Sequence, residues 1–86
     1  MTQLRTDVVC CPTQNGMVLL DERDGRYWQL NGTGAAVVQA LLDGATPGQV
    51  ADRLAAVRPV DPERAAADVA ALLEGLTRAG LVVSAP

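Results

Sequence analysis

Cys10 and Cys11 are the only thiols of this 86-residue chain, and no histidine accompanies them. A nucleophilic Cys or Ser needs a neighbouring base to take its proton. No Cys–His or Ser–His pair can form within this chain. Nor do two thiols alone close a zinc site, which takes four Cys, His or carboxylate ligands. Adjacent Cα atoms lie about 3.8 Å apart, shorter than the usual disulfide separation, so a vicinal bridge would be strained. The pair reads as two reduced strand residues. The 10 carboxylates are scattered over turns, caps and helix surfaces, without the spaced pair that general acid–base catalysis uses. Asn31-Gly32-Thr33-Gly34 sets two glycines before a helix but lacks the Lys of a phosphate loop and a full dinucleotide fingerprint. It reads as the start of a helix. No catalytic residue, cofactor site or metal site is expected, and the chain is not expected to be an enzyme.

The residue types that remain suit recognition. Tyr27 and Trp28 are the only aromatics, and there is no Phe. Neighbours in a strand point to opposite faces, so one of them enters the core and one faces outward; Trp28 is expected to fill the core. A strand at a sheet edge offers free N–H and C=O groups as a template for an added strand, and Arg26-Tyr27-Trp28-Gln29-Leu30 is the segment so placed if it lies at an edge. On the predicted third helix, Pro62, Ala65, Val69, Leu72, Leu73 and Leu76 share the core face at 100° per residue. Asp68 flanks that stripe. It reads either as a solvated charge or as an anion at the lip of a groove floored by Leu72 and Ala65.

Charge narrows the partner. The net charge is −3, and every basic residue is Arg. Nucleic-acid affinity comes largely from cations that displace counterions, so an acidic chain favours a basic peptide or protein face instead. The chain lacks a signal-peptide layout and any apolar run of membrane-spanning length; a cytoplasmic protein is expected.

The elements that must hold these residues follow from periodicity. Val8-Val9-Cys10-Cys11 is a short strand closed by Pro12 and a polar turn, and Met17 to Asp21 is a second. Asp24-Gly25 is the strongest hairpin signal, followed by a third strand from Arg26 to Leu30. A loop of those two residues alone would pair Tyr27 with Glu22, Trp28 with Asp21 and Leu30 with Leu19. From Asn31 the period changes from two to 3.6. Asn31 or Thr33 caps a first helix, with Ala36, Val37, Ala40 and Leu41 on one face and Asp43-Gly44 as its stop. Thr46-Pro47 opens a second helix with an apolar stripe of Val50, Leu54 and Val57, ended by Arg58-Pro59. Asp61-Pro62 opens the third and longest, which Gly80 stops. Leu81-Val82-Val83 packs back on the body. This is the order of an α+β domain, winged helix-turn-helix-like, with a three-stranded antiparallel sheet followed by three helices. It spans residues 5–83 as a single domain, with 1–4 and 84–86 as flexible ends. A DNA-binding regulator of that shape would carry a basic recognition helix; here Arg64 and Arg78 are set against Glu63, Asp68 and Glu74.

Leu19-Leu20-Asp21, Asp24-Gly25-Arg26-Tyr27, Leu30-Asn31, Leu41-Leu42-Asp43-Gly44, Asp68-Val69 and Leu76 through Gly80-Leu81-Val82 together resemble the PqqD-like family, over about residues 5–83. The resemblance implies a recognition element for ribosomally made, post-translationally modified peptides (a RiPP recognition element). Such a domain binds the precursor's leader as an extra strand against the third strand, beside the third helix. The implied peptide-binding residues are Arg26, Tyr27, Trp28, Gln29 and Leu30 on the strand, and Ala65, Asp68, Val69, Leu72 and Leu76 on the cleft wall. Within the family the chain looks most like the stand-alone leader-binding proteins of lasso-peptide biosynthesis. That implies a basic leader of Tyr-x-x-Pro type, a leader-cleaving cysteine peptidase and an ATP-dependent cyclase as partners. A leader-binding chaperone of another modified-peptide or PQQ-type pathway is the alternative, and a winged-helix DNA-binding regulator the second.

Overall fold

The structure, a computed structural model, describes residues 2–57 and 60–84. Among them are five strands, β1 (Thr2–Leu4), β2 (Val8–Thr13), β3 (Gly16–Asp21), β4 (Arg26–Asn31) and β5 (Val82–Ser84), and three helices, α1 (Gly32–Leu42), α2 (Pro47–Val57) and α3 (Pro62–Arg78). β2, β3 and β4 form an antiparallel sheet in chain order, with β3 central and the three helices following it. This is the α+β arrangement that the sequence implies. One addition is the pairing of β1 with β5, which sets Thr2 opposite Ser84 and Leu4 opposite Val82. Residues 2–4 and 84, expected as loose ends, therefore sit in a ladder. The cause is apolar, since Val82 is sealed in the core and Leu4 packs against it.

The β3–β4 hairpin departs from the expected register. Its loop is the four residues Glu22–Gly25, so Asp21 lies opposite Arg26, Leu20 opposite Tyr27, Leu19 opposite Trp28 and Met17 opposite Leu30. The Asp21 carboxylate accounts for the longer loop. Its Oδ1 accepts the N–H groups of Arg23 (3.1 Å) and Asp24 (3.3 Å), while the Asp21 carbonyl accepts that of Gly25 (2.9 Å). Gly25 closes the turn at φ +67°, in the left-handed region that glycine enters without strain. The slip relative to a two-residue loop is two positions. It therefore leaves every side chain on its expected face, because strand side chains alternate with period two.

Two apolar clusters share the interior. Val8, Met17, Leu19, Leu30, Val38, Leu76, Leu81 and Val82 fill the space between sheet and helices. Val37, Leu41, Val50, Ala51, Ala65 and Val69 join the three helices, and Leu72 and Leu73 touch both clusters. α1 lies between the sheet and α2, so it is buried on two sides: Val38 faces the sheet and Val37 the helices. Ala36, expected on the core face, is exposed, and so are Pro62 and Val57.

The helix ends follow their sequence signals. Asn31 Oδ1 accepts from Gly34 N (2.8 Å) and caps α1. Thr46 and Gln49 exchange hydrogen bonds, the Thr46 hydroxyl accepting from Gln49 N (3.1 Å) and Gln49 Oε1 from Thr46 N (2.9 Å), a reciprocal cap on α2. Asp61 caps α3 through Glu63 N (3.2 Å). At its far end Leu81 N reaches the Leu76 carbonyl (3.0 Å) as the chain turns at Gly80, φ +78°. Arg58-Pro59, the expected stop of α2, lies outside the described residues.

Candidate functional site

Two edges of the three-stranded sheet are open in principle, β2 and β4, and they differ in what they offer. Hydrogen bonding along an antiparallel pair alternates between residues that bond to the neighbour and residues that point away from it. Glu22 N donates to the Asp7 carbonyl (2.9 Å), one step beyond the Val8–Asp21 pair. Counting back in twos, Leu20, Val18 and Gly16 turn their main chains to β2, and Asp21, Leu19 and Met17 turn theirs to β4. Their partners on β4 are Arg26, Trp28 and Leu30. The main-chain N–H and C=O of Tyr27 and Gln29 therefore point out of the sheet.

The same count leaves Val8, Cys10 and Pro12 outward on β2. Val8 N is already taken by the Arg5 carbonyl (2.9 Å), and Pro12 has no N–H. Only Cys10 keeps an outward donor there. β4 is thus the edge able to accept a further strand, while β2 is blunted.

Side chains on β4 alternate as expected, with one correction. Tyr27 faces outward and is 67% exposed. Arg26, Trp28 and Leu30 share the inner face with Asp21, Leu19 and Met17, and Leu30 is buried. Trp28, expected to fill the core, is instead 38% exposed. It belongs to the inner face but stands at the rim, where no strand flanks it. Gly16 fixes the far end of the pairing, because a Cβ there would collide with the Leu30 carbonyl oxygen; only glycine permits that approach.

A buried ion pair anchors the hairpin. Arg5 Nη2 donates to Asp21 Oδ1 (2.6 Å), and the Asp21 side chain has no exposed surface. Burial pushes the Asp21 carboxyl up, but the Arg5 hydrogen bond, the Asp24 N–H, the Arg5 charge and the Arg23 N–H outweigh it. The carboxyl is left below the ordinary Asp value. Arg5 also donates its own N–H to the Leu81 carbonyl (3.0 Å). The pair therefore ties the β1–β5 ladder to the turn that presents β4. The sequence reading missed both residues. The signal available was an Asp followed two and three residues later by Arg23-Asp24, the spacing at which a side-chain carboxylate caps a turn.

On α3 the expected cleft wall divides. Ala65, Val69 and Leu76 are sealed in the core, at 0%, 1% and 2% exposure. Their side chains support the wall from behind and present no surface. Leu72 is half-buried and Asp68 is exposed, so these two remain available to a ligand. Asp68 Oδ1 faces Arg64 Nε at 3.5 Å, and Glu74 faces Arg78 at 2.5 Å. The exposed charges of α3 are thereby largely neutralised in pairs, which suits neither a phosphate backbone nor strong electrostatic steering.

The cysteines sit apart from this site's chemistry. Cys10 is half-buried and donates to Met17 Sδ (3.2 Å); burial, and then the neighbouring Cys11, push its thiol up. Cys11 is exposed. Among the described residues no group of three His, Cys, Asp or Glu side chains comes together, and no helix is long and apolar enough to cross a membrane.

Comparison with known proteins returns one family and two structures of note. Residues 16–82 match the family described as "Coenzyme PQQ synthesis protein D (PqqD)". A structure described as lasso peptide synthetase B1 complexed with the leader peptide is 43% identical, with a TM-score of 0.92 over 96% of this chain and 98% of the other. TbiB1 in complex with the TbiA(beta) leader peptide, 24% identical, superposes with a TM-score of 0.88 over 98% of both chains and is alike in fold. No curated protein sequence matches.

Proposed function

We propose that this chain, which belongs to the PqqD family, is a leader-binding recognition protein of lasso-peptide biosynthesis. It binds the leader segment of a ribosomally made precursor as a strand added to β4. The observation that carries this reading is the asymmetry of the two sheet edges. Tyr27 and Gln29 offer outward N–H and C=O groups, whereas on β2 the Arg5 carbonyl takes the Val8 donor, Pro12 has none, and only Cys10 keeps an outward N–H. Support also comes from the 43% identity to a lasso peptide synthetase B1 that is complexed with its leader peptide.

The division of roles follows from the geometry. Main-chain bonds to Tyr27 and Gln29 give grip that is indifferent to side chains, as in other strand-addition complexes. Selectivity comes from what the peptide's side chains meet: Trp28 at the rim, Leu72 on α3, and Asp68, which attracts a basic residue of a Tyr-x-x-Pro type leader. Ala65, Val69 and Leu76 act only by holding Leu72 and the rest of α3 in place. The protein performs no bond chemistry in this scheme. It has no His to serve as a base for Cys10 or Cys11, and in this reading the nucleophile belongs to a leader-cleaving cysteine peptidase to which the leader is presented. An ATP-dependent cyclase then acts on the released core segment.

The test is a fluorescence-anisotropy titration of this protein into the labelled leader of the precursor encoded beside its gene. Saturation with a Kd on the order of a micromolar or tighter is expected. Absence of binding up to about a hundred times that concentration would overturn the reading. A leader taken from a different class of modified-peptide cluster, bound equally well, would move the assignment to another pathway.

A further inference from the structure

α1 and α2 meet only lightly, α2 packing mainly on α3. Val37 and Leu41 of α1 pack against α2, but beside them α1 presents only the small Ala36 and Ala40, and a recess of about 310 Å³ opens there between the helices. Val50, Leu54 and Val57 form its opposite wall, and Arg53 stands at its rim. Val57, at the open side, is 81% exposed. The recess starts at Gly32 and Thr33, the two residues that directly follow Asn31, the last residue of β4.

We propose that this recess is a second subsite for the same leader peptide. It receives an apolar side chain from the residues that run on past the Asn31 end of β4, with a neighbouring carboxylate meeting Arg53. The proposal rests on the reading of β4 as the leader-binding edge. Three observations select this occupant. The recess is continuous in sequence with that edge, so a strand that pairs along Tyr27 and Gln29 and continues arrives at its mouth. Its volume, about 310 Å³, is at the low end of ligand pockets, roughly 300–1,000 Å³, and suits one or two side chains. Its charge is also opposite to that of the molecule as a whole. Arg53 has no ion-pair partner among the described residues, and α1 carries no acidic residue in its first turn. The helix N-terminus and Arg53 together make the mouth positive in a chain of net charge −3. On this reading one leader carries a basic residue for Asp68 on α3 and an acidic-apolar pair for the recess.

The experiment measures anisotropy for the full leader and for nested truncations from either end, against wild type, Ala36→Phe and Arg53→Glu. Both substitutions lie at exposed positions, and Ala36→Phe fills the recess. The full leader is expected to bind each variant about tenfold more weakly, the scale of losing one buried apolar contact. The shortest truncation that still binds wild type should bind all three proteins alike. If the full leader binds wild type and both variants equally, the recess is not a leader subsite while the β4 reading stands. If no leader binds wild type, both readings fall together. Sedimentation equilibrium separates a further occupant: a dimer of this chain that Ala36→Phe dissolves would assign the recess to self-association and overturn the proposal.

Discussion

Leu19 and Trp28 stand opposite each other in the β3–β4 ladder and on the same face of the sheet, yet Leu19 has no exposed surface and Trp28 keeps 38% of its own. Lateral position makes the difference. Leu19 has a strand on either side, whereas Trp28 has one on β3's side and solvent on the other. A peptide strand laid along β4 would do for Trp28 what β4 does for Leu19. Trp28 is the only tryptophan in the chain, so its emission reports this directly. Saturating leader is expected to shift the emission maximum to shorter wavelength. An unchanged spectrum at saturation would place the peptide away from β4.

The outward N–H of Gln29 provides the sharpest test of strand addition. Gln29→Pro removes that donor and sets a ring in the path of an incoming strand, while leaving the bonds to β3 with Arg26, Trp28 and Leu30. Leader affinity should fall at least about tenfold, the scale of one lost main-chain hydrogen bond plus steric exclusion. Stability should fall by no more than about 1 kcal/mol, since the lost N–H has no partner within the sheet. The control is Leu30→Pro, whose N–H faces β3 and whose side chain is in the core; it should not fold. Equal leader binding by wild type and a folded Gln29→Pro protein would rule out pairing at this edge.

Much of this architecture was legible in the sequence because it rests on local rules. Asn31, Thr46 and Asp61 cap helices because their side-chain oxygens reach N–H groups two or three residues on, and Gly80 turns the chain because it accepts positive φ. The hairpin register was misread because the carboxylate that lengthens the turn belongs to Asp21, nominally a strand residue, and its fixing partner Arg5 is sixteen residues away. Trp28 was misplaced for a related reason. Alternation assigns a face but says nothing of whether a neighbouring strand covers it. On α3 the helical period found the core residues correctly. It could not separate Leu72, which is reachable, from Ala65, Val69 and Leu76, which are not, because that depends on how α2 and the sheet close over the helix.

Asp21 predicts how the fold responds to acid. Its folded pKa lies below the unfolded value, so at low pH the unfolded chain binds more protons than the folded one. The stabilisation is therefore complete above the unfolded pKa, about 3.9, and drains away as pH falls through the folded value. Far-UV circular dichroism should show wild type losing structure below roughly pH 4. Asp21→Asn should be less stable at pH 7, since Arg5 then lacks its charged partner, but nearly insensitive to pH across that window. Parallel acid transitions in the two proteins would assign the sensitivity to other carboxylates.

Asp68 predicts a binding effect without a folding effect. It is 56% exposed, and among the described residues its only ion pair is the one with Arg64, one helical turn earlier, at 3.5 Å. An exposed pair of this spacing contributes about 0.3–0.5 kcal/mol, so breaking it barely changes stability. If a basic leader passes this face of α3, as proposed, the charge matters more, because reversing it replaces attraction with repulsion. Asp68→Arg is expected to weaken leader binding about tenfold at low salt, with an unchanged melting temperature to within a few degrees. Arg64→Ala should act in the opposite sense, because it leaves the Asp68 carboxylate free to meet the peptide. Both effects should shrink in 1 M NaCl, where charges are screened within about 3 Å. If Asp68→Arg binds the leader as wild type does at low salt, Asp68 is an ordinary solvated charge. Selectivity would then fall to Trp28 and Leu72.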